Sequence, residues 1–294
     1  MKIVQSFWSK PALAGPQAHR SGWPDKRYNY FSWALSALQF KKYYNEVELV
    51  TDEAGYELLI DKMKLPYTSV QVALDRLNGY DKDLYAIGKL YAYSLQDSPF
   101  IHADGDVFIW EKFPGELETS DLICQNKERG EDYSRLYYNI YLDMLRNYRF
   151  CPPVLERSIQ RNGTVIAVNA GILGGQQWAF FRDYATAAFE FIDGNADFLG
   201  RVNLRVANIV FEQFLFHALA EEKGFSVGAY NADFVSFWND IADYTGVPCR
   251  TKYIHTIGAL KKEKHIAHSL EYRLQHDYPC YYYHILDLLH THQI

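Results

Sequence analysis

Several features are missing from this chain, and the first three absences each remove a class of protein. The four cysteines, Cys124, Cys151, Cys249 and Cys280, lie far apart with no Cys-x-x-Cys spacing. That pattern supports neither a zinc site nor a disulfide framework. No apolar run approaches the roughly 20 residues that cross a bilayer. There is no excess of basic residues either, since the formal net charge is −6 at pH 7. A general nucleic-acid binder needs a basic face to neutralise phosphates, so that function is not expected, although a local nucleotide pocket remains open. Internal repeats and low-complexity linkers are also missing. The opening Met1–Trp8 is too short and too soon interrupted to be a signal peptide. The protein is therefore expected to be soluble and cytoplasmic, and the Asn162-Gly-Thr164 sequon to have no consequence.

What is present is an ordinary globular composition. Apolar residues make up 48% of the 294 positions and charged residues 22%, enough for one large domain or one domain with a helical appendage. Aromatic residues reach 16%, with 24 Tyr. Tyrosine suits sugar rings but also fills cores and interfaces, and most of these are expected to be structural.

The stretch Ser98–Trp110 holds the most chemistry. Two short apolar runs, Pro99 to Ile101 and Val107 to Trp110, read as buried strands. Between them lie Asp104 and Asp106, with Gly105 permitting a bend. Two carboxylates at the end of a buried strand are costly to desolvate and repel one another. A divalent cation removes both problems, and hard oxygen ligands suit Mg²⁺ or Mn²⁺ sharing a shell with substrate phosphates. The plain alternative is an Asp-Gly turn joining two hairpin strands.

The preceding chain alternates. Strands are expected at Lys2 to Trp8, Val47 to Thr51 and Ser69 to Ala73. Helices are expected at about Lys26 to Tyr44, with Phe31, Leu35 and Leu38 on one face, from a cap at Asp52 to about Met63, and from a cap at Asp81 past Leu84, Ile87 and Tyr91. A loop rich in Gly and Pro fills Pro11 to Pro24, and such long loops often serve a site. This is the grammar of an α/β sheet that is mainly parallel, whose ligands bind outside the carboxyl ends of the strands. Later come a short strand at Asp121 to Gln125, helices at Tyr133 to Arg149, Trp178 to Ile192 and Val206 to Glu222, and a new segment at Pro152-Pro153. Short strands follow at Val227 to Tyr230 and Lys252 to His255, and helix over most of Ala259 to Leu289.

Three further motifs join the acidic corner. A strand at Val165 to Val168 opens into Asn169-Ala170-Gly171, where Asn offers the donor and acceptor that a sugar hydroxyl needs and Gly allows close approach. Glu212-Gln213 is a polar pair inside an apolar helix, which periodicity also permits on a solvated face. Tyr253 to Lys262 carries His255, then a turn at Gly258, then Lys261. A lone His is more often structural and a lone Lys more often solvated.

In this order the motifs resemble the GT-A glycosyltransferases, most closely the family-8 type that includes glycogenin and bacterial galactosyltransferases. The shared elements are an Asp-x-Asp corner after an apolar strand, an Asn-small-Gly turn, an acidic-Gln pair and a late His-x-x-Gly-x-x-Lys. Thr51-Asp52 also looks like that family's early strand-to-helix turn. The resemblance spans about residues 1 to 262. Departures are Lys262-Glu263 where Pro-Trp is usual, Glu212 where Asp is common, and a padded spacing from Asp106 to Asn169. The resemblance implies a single GT-A-like α/β domain with a mainly parallel central sheet, residues 1–262, and a C-terminal helical extension, 263–294, packed on it. It implies Mn²⁺ (or Mg²⁺) held by Asp106 and His255, with Asp104 on the metal or the donor ribose. Asn169, Ala170 and Gly171 would line the donor-sugar pocket, Lys261 would hold the diphosphate, and Glu212 or Gln213 would face the reacting carbon. The implied activity is transfer of a sugar, with retention, from a nucleotide-sugar donor, expected to be a UDP-sugar, to an acceptor that the motifs leave open among glycans, lipid-linked glycans and proteins.

Two rivals remain. Haloacid-dehalogenase phosphotransferases also carry Asp-x-Asp after a strand, but near the start of the catalytic domain and with Thr or Val where Phe108 stands. A non-catalytic sugar-binding or interaction protein could keep the same fold. The tail Tyr281 to Leu289 could dock weakly on a membrane or in a homodimer. Packing back on the domain is the preferred reading.

Overall fold

The computed structural model of the protein describes residues 1–13, 18–231 and 241–294. Part of the loop expected at Pro11 to Pro24, residues 14–17, lies outside these. In chain order the first elements are β1 (Lys2–Phe7), α1 (Ser9–Leu13), α2 (Lys26–Tyr43), β2 (Val47–Thr51) and α3 (Glu53–Tyr56). Then come β3 (Ser69–Val72), α4 (Ile87–Ser94), β4 (Phe100–Ala103), β5 (Val107–Ile109) and α5 (Gly115–Glu118). The middle of the chain forms β6 (Leu122–Glu128), α6 (Glu131–Asn147), α7 (Pro153–Asn162), β7 (Ala167–Gly175) and α8 (Phe180–Asp193). Last are α9 (Leu204–Ile209), α10 (Leu215–Glu222), β8 (Val227–Ala229), β9 (Tyr253–His255), α11 (Lys264–Asp277) and α12 (Pro279–His290).

The expected α/β class with a mainly parallel central sheet and C-terminal helices is what the structure has. The sheet has seven strands in the order β3-β2-β1-β4-β7-β6-β8, and β5 and β9 form a separate two-stranded sheet. Strand β1 is parallel to β2, β2 to β3 and β6 to β8, whereas β6 and β7 are antiparallel. Among the described residues no helix is long and apolar enough to cross a membrane.

The chain divides into two compact units. The first comprises Met1–Gly79, Ala103–Lys112 and Val235–Ile294, the last described from Ile241 onward. In it α2 was expected to bury one face. Instead every residue from Tyr28 to Phe40 is buried, because α11 and α12 also pack on this helix. Leu270, Leu274, Tyr282, Ile285 and Leu288 join Phe31, Leu35 and Leu38 in one apolar core. Asp52 caps α3 as expected, accepting from the Gly55 N–H at 2.9 Å. It also takes the Ser9 N–H and hydroxyl at 2.8 and 2.7 Å. The helix then widens into a π-helical turn over Glu57–Lys62.

The second unit comprises Tyr80–His102 and Phe113–Phe234, described to Asn231. Three expectations are corrected here. Asp81 does not cap α4: it closes a tight turn, accepting from the Asp83 N–H at 2.8 Å, and the helix starts only at Ile87. The turn expected at Asn169 to Gly175 is strand, since β7 runs unbroken to Gly175. Its late glycines are needed for room: a Cβ on Gly174 would stand 2.1 Å from the Phe100 carbonyl oxygen, and one on Gly175 2.2 Å from that of Asp121. The single helix expected from Val206 to Glu222 is α9 and α10 joined by a π-helical turn, Val210–Phe214. Such turns recur at functional sites.

His217 on α10 is buried, and neither ring nitrogen has a hydrogen-bond partner among the described residues. Burial lowers its pKa to about 4, with Glu221 opposing and Lys127 adding to the shift. The folded value lies below the unfolded one, so this group's contribution to stability is complete above about pH 6.5 and falls as pH drops toward about 4. Urea unfolding should therefore show a loss of about 2 kcal/mol between about pH 7.5 and about pH 5 that His217→Leu removes. An unchanged slope in the variant would assign the acid lability to other groups.

Candidate functional site

In the first unit the acidic corner follows β4, and what completes it comes from far along the chain. β5 and β9 pair antiparallel, with Val107 opposite His255, Phe108 opposite Ile254 and Ile109 opposite Tyr253. The Thr256 N–H extends the ladder by donating to the Asp106 carbonyl at 3.0 Å. The alternative of a simple hairpin across the corner is thus set aside, because β5 pairs with β9. This pairing brings His255 Nε2 to 3.4 Å from Asp106 Oδ1. Gly258, at φ +52°, then opens a 3₁₀ turn over Gly258–Lys262. That turn brings Lys261 Nζ to 2.7 Å from Asp106 Oδ2. The ammonium also donates to the Ser21 carbonyl at 3.2 Å and lies 5.9 Å from the Trp23 ring.

The corner's backbone is tied down by α2 and β1. Ser32 Oγ donates to the Gly105 carbonyl at 2.8 Å, and Ser36 Oγ to that of Val107 at 2.7 Å. The Gln5 amide donates to the Ser36 hydroxyl at 2.8 Å and reaches the Asp104 carbonyl at 3.4 Å. Gly105 does not have the positive φ that would demand glycine. It is required for space, since a Cβ there would lie 2.5 Å from the Trp33 indole. Burial alone would raise the Asp106 carboxyl, but Lys261 and His255 beside it hold it well below the usual carboxylate range.

One ligand atom each from Asp104, Asp106 and His255 lie within 4.8 Å of one another. Metal bonds of about 2.0–2.5 Å place neighbouring ligand atoms roughly 3–5 Å apart, so a divalent ion fits this set with small adjustments. Two carboxylate oxygens and an imidazole nitrogen suit Mn²⁺ better than Mg²⁺.

The second unit gathers the remaining named residues. Glu128 lies opposite Ala167 on β7, which makes Asn169 its diagonal neighbour. Asn169 Nδ2 donates to Glu128 Oε1 at 2.9 Å, while Asn169 Oδ1 accepts the Gly171 N–H at 3.0 Å. Tyr137, from α6, bonds through its hydroxyl to both Glu128 Oε2 and the Gln213 side chain. Glu212 is 3% exposed, which removes it from any solvated face. Its carboxylate pairs with Lys89 at 2.7 Å and accepts from the Tyr93 hydroxyl at 3.3 Å. Its carbonyl accepts from the Tyr184 hydroxyl at 2.7 Å. Lys89 also donates to the carbonyl of Ala170, whose methyl is buried, at 3.2 Å. Gln213 is half-buried. Sequence reasoning missed Lys89, Glu128 and Tyr137. The available signal was β6 itself, where Gln125, Asn126 and Glu128 are polar yet buried at the end of an apolar strand.

These are features of an α/β protein whose sheet is mainly parallel, with a cluster fit for a divalent ion at the end of one strand. The chain belongs to DUF6734, a family of unknown function, whose family model matches residues 1–288. No curated protein matches it. Among solved structures it is similar to the galactosyltransferase LgtC in complex with donor and acceptor sugar analogs, at 12% identity and a TM-score of 0.38, covering 72% of this chain and 70% of that one. It is also similar to mouse xyloside xylosyltransferase 1 in its apo form, at 10% identity and a TM-score of 0.40, covering 86% of this chain and 96% of that one.

The packing of Gly105 on Trp33 gives a direct check. Gly105→Ala should lower stability by about 1–3 kcal/mol through overpacking and, by displacing Asp104 and Asp106, should weaken whatever divalent-ion binding the wild type shows. Calorimetric melting and metal titration of the variant would measure both. Wild-type values in each would mean that Trp33 yields freely.

Proposed function

We propose that this chain is a metal-dependent glycosyltransferase that moves a sugar from a nucleoside-diphosphate donor, a UDP-sugar by motif resemblance, to an acceptor hydroxyl with retention of configuration. The observation that carries the reading is the meeting of Asp104, Asp106 and His255 beside Lys261 in one partly buried corner. A bound Mn²⁺ would supply positive charge to the diphosphate as it leaves.

The protein's own groups divide the remaining work. Lys261, paired with Asp106, would exchange it for a phosphate oxygen and so keep its charge neutralised in both states. Glu212 is already committed to Lys89, so Gln213 is the member of the pair assigned to the reacting carbon. An uncharged amide oxygen beside an oxocarbenium-like centre stabilises positive charge at a smaller desolvation cost than a carboxylate. Asn169 keeps one amide hydrogen beyond its bond to Glu128, and this is the donor assigned to a sugar hydroxyl.

Isothermal titration of UDP with Mn²⁺ into wild type and His255→Ala tests the reading. Affinity should fall by roughly tenfold or more in the variant, since even indirect partners of a metal are worth about 10–100-fold. Equal affinities would return His255 to a structural role. Phosphate release from a generic phosphate ester, without sugar transfer, would favour the phosphotransferase alternative.

A further inference from the structure

Resting on the reading above, we infer that Glu128 and Tyr137 are positioning residues that decide which end of the Gln213 amide is presented to substrate. Direction runs through this network from a group that can only donate. The Gly171 N–H donates to Asn169 Oδ1, which leaves Asn169 Nδ2 to face Glu128. Glu128 therefore accepts at Oε1. The Tyr137 hydroxyl meets Oε2 of the same carboxylate and also meets the Gln213 amide. Burial raises the Tyr137 pKa well above its ordinary value, and Glu128 adds to that, so the phenol stays protonated.

A phenol has one proton, and a carboxylate is the stronger of the two acceptors. The proton goes to Glu128, and the Tyr137 oxygen is left with lone pairs only. What faces them must be a donor, so the Gln213 NH₂ belongs there, although Oε1 is the end placed beside Tyr137. The two ends of an amide have nearly the same shape, and the surrounding hydrogen bonds decide between them. The amide oxygen of Gln213 is thereby turned away from Tyr137. It presents an acceptor, the polarity that an electron-deficient sugar carbon requires. Neither Glu128 nor Tyr137 needs to touch substrate.

The order of donors can be read without any activity. Gln213→Glu puts a second carboxylate on a hydroxyl whose proton is already committed, and Gln213→Leu removes the polar group without adding charge. Gln213→Glu should melt at least about 4 °C below Gln213→Leu near neutral pH, since even a modest loss of folding stability moves the melting point of a chain this long by a few degrees. Adding Glu128→Gln should recover most of that loss, because the Tyr137 proton can then pass to the new carboxylate. A Gln213→Glu protein as stable as wild type would overturn the inference, since position 213 would then be the acceptor.

The functional arm follows UDP release from a UDP-sugar. Tyr137→Phe should lower kcat about tenfold with KM within about twofold, as expected when a group acts through another on the transition state. An unchanged kcat would reduce Tyr137 to a packing residue. If wild type bound no UDP with Mn²⁺, the glycosyltransferase reading would fall, while the melting comparison would still decide the donor order.

Discussion

Three residues of β5 paired with three residues of β9 hold the candidate metal corner together. That short antiparallel ladder sets His255 beside Asp106, although about half the chain separates them in sequence. Without it the acidic corner would be two carboxylates held close with no partner from the distant segment. With it, an imidazole and an ammonium converge on the half-buried Asp106 and keep its carboxyl ionised. Pairing so few residues over so long a separation is weak by itself. The hydroxyls of Ser32 and Ser36 and the indole of Trp33, all on α2, fix the β5 side of the ladder.

The second cluster works by a different economy. Its buried carboxylates, Glu128 and Glu212, each have a dedicated set of partners. Glu212 takes a cation, Lys89, and becomes part of the frame. Glu128 accepts from Asn169 and Tyr137 within a hydrogen-bonded network. A buried charge without partners would cost several kcal/mol. The arrangement uses that cost to lock orientations, since any rotation of Asn169 or Tyr137 would strip Glu128 of a donor.

Much of the fold was legible in the sequence for a clear reason. The first half alternates strands with helices in short steps, and β1, α2, β2 and β3 all lie where the periodicity indicates. The acidic corner was legible because two carboxylates beside a buried strand repel and are costly to desolvate, although an Asp-Gly turn accounted for them as well. What escaped was long-range. Nothing in Glu128 marks it as the partner of Asn169 except a sheet register that only pairing creates. Tyr137 is one of 24 tyrosines, singled out only by where α6 places it. Gly105 was read through its freedom of bending, whereas the structure needs it for want of space. The widened turn at Val210–Phe214 has no periodic signature, since it arises where a helix accommodates one residue more than its neighbours permit.

The full burial of α2 carries a consequence for the order of biosynthesis. This helix is made early, yet part of its cover, α11 and α12, is made more than 200 residues later. A nascent chain therefore holds aromatic and aliphatic side chains such as Phe31, Leu35 and Leu38 incompletely covered through most of translation. Contacts of such long sequence separation form slowly, and exposed apolar surface of this kind invites aggregation. The last helices are thus a closing step for the whole first unit, and a ribosome-bound chain lacking them would be a natural client for chaperones.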